Sequence, residues 1–148
     1  MILWRVSNYP NLDGVGGLYV SGRWHRKGRP VVYCALNAAT ALLETLVHIE
    51  IDAEDRPERF QMLRIEGPKT LSRERMDIGA LAPNWAEDVT ITQGIGDRWL
   101  QERRTLLLEV PSVLVPETWN VLVNPLHAEA SLLKITNVYA YPFDARLL

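Results

Sequence analysis

Polar side chains set among apolar neighbours are the first candidates for chemistry, and four stretches of this sequence carry them. Arg5 follows Ile2, Leu3 and Trp4. Arg23 stands in Gly22-Arg23-Trp24-His25, upstream of Tyr33 in an apolar run. Glu44 interrupts an apolar helical stretch, and Ser112, Asn124 and His127 lie in an apolar segment punctuated by Pro111, Pro116 and Pro125. Guanidinium groups pair bidentately with phosphate oxygens, and a carboxylate stabilises positive charge developing in a reaction. Serine and tyrosine hydroxyls orient a ligand by hydrogen bonding. Each residue also has an ordinary reading. Arg5 suits a solvated strand arginine, Arg23 a turn arginine or a cation–π contact, and Glu44 an i,i+4 pair with His48. Tyr33 suits the core, Ser112 a turn start, and His127 a loop.

Simpler motifs fail on inspection. Gly14-Val15-Gly16-Gly17 begins like a dinucleotide fingerprint, but its third glycine position is Tyr19. There is no phosphate-binding P-loop. His25, His48 and His127 are isolated from one another and from any cysteine pair, which argues against zinc. Cys34 is the only cysteine and sits in an apolar run, where a thiol acts as a small hydrophobe.

The elements that must hold these residues can be sketched from hydrophobic period. Residues 2–7 alternate, with Ile2, Trp4 and Val6 on one face and Arg5 facing away from that set. Residues 11–17 read as a loop, whose Gly-rich part from Asp13 to Gly17 is expected to move over a pocket, and 18–20 as a short strand. Residues 31–35 are a buried strand, after which Asn37 caps a helix whose apolar arc runs to Ile49 and leaves Thr40, Glu44 and His48 on a polar stripe. Further strands are expected at 61–66, 106–110, 119–123 and 135–141, with helices at 72–80 and 96–104. This mixed order lacks a βαβ rhythm and predicts an α/β (mixed α+β) domain with a largely antiparallel, split sheet.

The 148 residues, 47% hydrophobic and 23% charged, suit a single domain spanning 1–148 with its own core. The longest apolar run, residues 31–36, is far short of the roughly 20 residues a membrane-spanning helix needs. The first residues lack the pattern of a secretory signal, and a lone cysteine suits a reducing compartment, so a cytoplasmic location is expected. A net charge of -2 gives no broad footprint for nucleic acid.

Taken together, the patterned stretches carry more than their parts. G-R-W-x3-G-x-P-V-V-Y from Gly22, A-x-x-E ending at Glu44, and P-S-x-x-V-P-x-x-x-N-x-L-x-N-P-x-H from Pro111 resemble the RES-domain toxins, named for an arginine, a glutamate and a serine. The resemblance implies an ADP-ribosyltransferase-like core, NAD as a consumed substrate with no permanently bound cofactor, and an Xre-type antitoxin that blocks the site. It also implies a homodimer within a hetero-oligomer. Residue by residue, the family arginine corresponds to Arg5 or Arg23, the tyrosine to Tyr33, the glutamate to Glu44 and the serine to Ser112. Asn124 and His127 are further pocket candidates.

On that reading the arginines bind the pyrophosphate, and Glu44 stabilises the oxocarbenium-like ribose formed as nicotinamide leaves. Tyr33 stacks beside the nicotinamide or ribose, and Ser112 hydrogen-bonds the amide or a ribose; the two roles are interchangeable here. The acceptor is water, phosphate or, in a transferase, a protein. A non-catalytic module that only docks an antitoxin is the alternative from another class.

Overall fold

The structure, a computed structural model, describes residues 1–47 and 58–147. Its framework is a seven-stranded sheet in the order β4-β5-β6-β2-β1-β3-β7. In chain order the elements are β1 (Ile2–Val6), α1 (Gly16–Tyr19), β2 (Val32–Ala35), α2 (Ala38–Leu46), β3 (Arg59–Glu66), β4 (Arg73–Arg75), α3 (Val89–Glu102), β5 (Leu107–Pro111), β6 (Trp119–Val123) and β7 (Lys134–Pro142). Every neighbouring pair is antiparallel except β4 with β5.

The expected split lies at the centre. β1 runs beside β3 from Ile2 opposite Glu66 to Val6 opposite Met62, and β2 runs beside β6 from Val32 opposite Val123 to Ala35 opposite Asn120. Among the described residues β1 and β2 are paired at one position, Trp4 opposite Ala35. Two half-sheets therefore meet at a point and part on one side of it.

Strand alternation divides the core. Leu3, Val32, Cys34, Leu63, Ile65, Val121 and Val123 fill one face. On the other face, Tyr33 packs with the cluster containing Trp24, Trp99, Leu108 and Val110, while Ala35 packs with Ala41, Met62, Trp4 and Val6. Because Tyr33 and Ala35 share one side of β2, α3 and α2 cover the same face on either side of the split. The space between them is where a site can form.

Several local expectations need correction. Leu3 is fully buried and Ile2 is exposed, since the central strand β1 has apolar neighbours on both faces and a two-sided environment hides simple alternation. Residues 18–20 are not a strand: Gly14 turns the chain at φ 67°, its carbonyl accepts from the Gly17 amide, and the turn of α1 follows. Residues 73–75 form an edge strand beside β5, and the helical pattern expected across 72–80 shrinks to a 3-10 turn at Ile78–Ala80 capped by Asp77. α3 starts at Val89 behind the Asp88 cap and not at residue 96, because Gly94 and Gly96 weaken the helical signal inside it. Asn37 caps α2 as expected, accepting from the Thr40 amide at 2.8 Å. His48 and Ile49, expected to extend that helix, lie outside the described residues.

Candidate active site

A cavity of about 650 Å³ opens where the half-sheets part. Arg5 from β1, Arg23 and His25 from the turn after α1, Tyr33 from β2, Glu44 from α2 and Asn120 from β6 all line it. Residues far apart in sequence thus converge because β1 and β2 diverge beneath two helices.

Glu44 is anchored on one side. The Ser112 hydroxyl donates to its Oε1 at 2.5 Å, and the Asn120 side-chain amide donates to the same oxygen at 2.8 Å. Among the described residues nothing donates to Oε2, so of the two carboxylate oxygens these residues hold only Oε1. Ser112 is itself 1% exposed, and its oxygen accepts the amides of Leu114 and Val115, each at 3.2 Å. Its hydroxyl is committed to Glu44, which differs from the expected contact with an amide or ribose.

The arginines differ in how they are held. Arg23 donates from Nη1 to the Ala86 carbonyl at 2.9 Å. Its own carbonyl accepts the Thr92 hydroxyl at 2.5 Å, the Gln93 amide donates to the Gly22 carbonyl at 3.0 Å, and the Arg26 amide donates to Asp97 at 3.0 Å. One side of α3 therefore clasps the turn at residues 22–26. Gly96 belongs to the same contact: a Cβ there would run into the Trp24 carbonyl oxygen. Arg5 also lines the cavity and has no hydrogen bond or ion pair among the described residues.

Tyr33 joins a buried chain of hydrogen bonds. Its hydroxyl lies 2.7 Å from Nδ1 of His25, accepts the Trp24 amide at 3.2 Å, and is linked through His25 Nε2 to the Gly17 carbonyl at 3.2 Å. Burial pushes the hydroxyl well above the usual tyrosine range; the Trp24 amide opposes the shift and the charge of Asp97 adds to it. Burial likewise pushes the Cys34 thiol up to about 12, against the opposing charge of Arg5, so it is a protonated wall residue at neutral pH. Gly16 and Gly17 line another side. The Gly14 carbonyl receives the amides of Gly17 and Val31, and Gly17 is buried under the Arg29 carbonyl.

Asn124 and His127 are not brought to the cavity. Asn124 is 1% exposed and fully engaged, donating to the Leu100 carbonyl at 3.0 Å and accepting the Leu126 amide at 3.1 Å, so it fastens the end of β6 to α3. His127 caps the following 3-10 turn by accepting the Glu129 amide at 3.0 Å. Two residues that do reach the site were not singled out from sequence. Asn120 was present in the motif after Pro116, as a polar residue next to buried Val121, and His25 directly follows Arg23-Trp24. Among the described residues no group of three or more His, Cys, Asp or Glu side chains is arranged to hold a metal ion, and no helix is long and apolar enough to cross a membrane.

Comparison with known proteins places the chain among relatives. A toxin from Pseudomonas putida, Toxin Res, is 49% identical over 147 residues, covering 99% of each chain. The Prs ADP-ribosylating toxin of a Sphingobium species is 35% identical over 148 residues, 97% of this chain and 91% of the relative. Among solved structures, a chain of the M. tuberculosis MbcT–MbcA toxin–antitoxin complex shares the fold at a TM-score of 0.71 and 15% identity, over 95% of this chain and 84% of that one. The family model described as the RES domain matches residues 2–144, and the chain belongs to that family.

Proposed function

We propose that this chain is the toxin of a toxin–antitoxin pair, and that its cavity binds NAD and breaks the nicotinamide–ribose bond. The observation that carries the reading is that Glu44, its carboxylate anchored through Oε1, lines the same cavity as Arg5 and Arg23. Loss of nicotinamide leaves positive charge on the ribose. A carboxylate about 4 Å away at an effective dielectric near 20 stabilises that charge by roughly 4 kcal/mol, on the order of a thousandfold in rate. Ser112 and Asn120 hold Glu44 in place before the charge appears, which is where electrostatic catalysis gains its advantage. Arg5 and the remaining donors of Arg23 suit the pyrophosphate, and the Tyr33 ring suits a flat heterocycle or the ribose. Water, phosphate or another small acceptor captures the ribosyl cation, and loss of NAD halts growth.

A second reading keeps the first step and changes the acceptor. The 35% identical relative is named for ADP-ribosylation, which favours transfer of ADP-ribose to a protein as the alternative outcome. An antitoxin partner is supported by the shared fold with a chain solved in a toxin–antitoxin complex and by exposed Val20, Val47 and Leu114 at the cavity wall. Its Xre type, a homodimer within the assembly and a cytoplasmic place of action rest on the family resemblance; a monomeric mass in solution would count against the dimer.

The deciding experiment is mass-resolved chromatography of NAD incubated with the purified protein and with Glu44→Gln, with and without phosphate. Nicotinamide with ADP-ribose, or with phosphate-dependent ADP-ribose phosphate, supports cleavage, provided that Glu44→Gln abolishes it. Intact NAD that is consumed only on adding cell lysate supports the transferase. Intact NAD in every case, with growth inhibition unchanged by Glu44→Ala, would leave only a non-catalytic docking module.

A further inference from the structure

One buried titratable side chain at the cavity has no part in the chemistry above. His25 is 2% exposed, and its ring nitrogens face different groups: Nε2 meets the Gly17 carbonyl at 3.2 Å and Nδ1 meets the Tyr33 hydroxyl at 2.7 Å. A carbonyl oxygen only accepts, so Nε2 carries the proton, and in the neutral ring Nδ1 is then an acceptor. Tyr33 must therefore donate its hydroxyl proton to His25 while its oxygen receives the Trp24 amide at 3.2 Å. The arrangement needs glycine at position 22, where a Cβ would stand 2.5 Å from the Tyr33 hydroxyl oxygen and 3.1 Å from His25 Nδ1. The Gly17 carbonyl that fixes the imidazole is in turn held in place, receiving the Gly28 amide at 3.1 Å.

We propose that His25 is a positioning residue which, by accepting the Tyr33 hydroxyl proton, fixes the tyrosine ring as a wall of the cavity and withholds its O–H from the ligand. Tyr33 then offers its ring face and no hydrogen-bond donor. For the identity of the ligand the inference rests on the NAD-cleaving reading. A wall that touches substrate and transition state alike changes KM more than kcat.

Two substitutions separate positioning from general structural support. His25→Asn keeps a carbonyl acceptor near the place of Nδ1, whereas His25→Leu has none. The expected result is a rise in KM for NAD of about tenfold in His25→Leu, the scale of one buried hydrogen bond, with kcat changed by less than about threefold and most of the loss recovered in His25→Asn. In the Tyr33→Phe background the two substitutions should become equivalent. Equal losses with Tyr33 present, or the same difference persisting with Tyr33→Phe, would overturn the proposal. A readout independent of NAD is nitrogen NMR of the histidine rings in the wild-type protein at neutral pH. A proton on Nε2 alone, with an Nδ1 signal that moves in Tyr33→Phe, is expected; a proton on Nδ1 overturns the inference. Protein that leaves NAD intact but shows the expected ring signals would refute the cleavage reading and leave the His25–Tyr33 arrangement standing.

Discussion

Ser112 and Glu44, 68 positions apart, meet through a 2.5 Å hydrogen bond in which the buried hydroxyl holds one oxygen of the carboxylate, with Asn120 on that same oxygen. The consequence is a division of labour between the residue that faces the ligand and those that aim it. Glu44→Gln keeps the shape and removes the charge, so nicotinamide release should fall about a thousandfold with little change in melting temperature. Ser112→Ala and Asn120→Ala leave the charge and loosen its aim; each should lower kcat about 10- to 100-fold, the scale of a hydrogen bond to a charged group. Ser112→Ala should in addition lower stability, since the Leu114 and Val115 amides lose their acceptor. Steady-state kinetics with thermal melts checks all three, and an unaffected kcat in both alanine variants would refute the anchoring role.

The two arginines should separate by stability. Arg5 has no partner among the described residues, so Arg5→Ala should raise KM for NAD about 10- to 100-fold while changing unfolding free energy by no more than about 0.5 kcal/mol. Arg23 also ties its turn to the Ala86 carbonyl, and Arg23→Ala should show both a raised KM and a loss of about 1 kcal/mol. Kinetics paired with urea unfolding tests this, and equal stability losses would show that Arg5 has a structural partner.

The contrast between Arg5 and Asn124 shows what could be read from the residues. Strong local signals were legible: the buried run at 31–35, the Asn37 cap and the mixed order that predicts a split antiparallel sheet. Motif order marked Arg5, Arg23, Tyr33 and Glu44, which line one cavity, yet it also marked Asn124 and His127, which serve the backbone elsewhere. A polar residue in a buried position has the same appearance in sequence whether its partner is a ligand or a carbonyl. Only the three-dimensional pairing distinguishes them. For the same reason β4 was hidden, because its strand state comes from pairing with β5 and not from its own composition.

Gly94 and Gly96 occupy one helix two residues apart and should respond oppositely to alanine. A Cβ at Gly94 meets nothing within 4 Å, so Gly94→Ala should stabilise the protein by up to about 1 kcal/mol through helix propensity. At Gly96 the Cβ would overlap the Trp24 carbonyl, which is backbone and cannot swing aside. Gly96→Ala must push the 22–26 turn off α3, costing on the order of 3 kcal/mol and displacing Arg23 from the cavity. Urea midpoints and NAD turnover read both effects, and a neutral Gly96→Ala would mean that α3 does not clasp this turn.

Cys34 should make the protein alkali-sensitive. It is 5% exposed in the core, and burial pushes its thiol up to about 12, while an unfolded thiol titrates near about 8.5. Because the folded value is the higher, the folded chain keeps its proton where the unfolded chain loses it. The stabilisation is complete below the unfolded value and is lost as pH rises through it towards the folded one, with a slope of up to about 1.4 kcal/mol per pH unit. Tyr33, raised in the same sense, adds to the fall only above about pH 10, where unfolded tyrosine ionises. Cys34→Ala should therefore be less stable at pH 7 by about 1 kcal/mol from lost packing, yet show a flatter decline between about pH 8.5 and 10. Urea unfolding across that interval measures both slopes. If they coincide, the thiol of the wild-type protein ionises without hindrance in the fold, and the dry wall that β2 forms beside Arg5 is open to water.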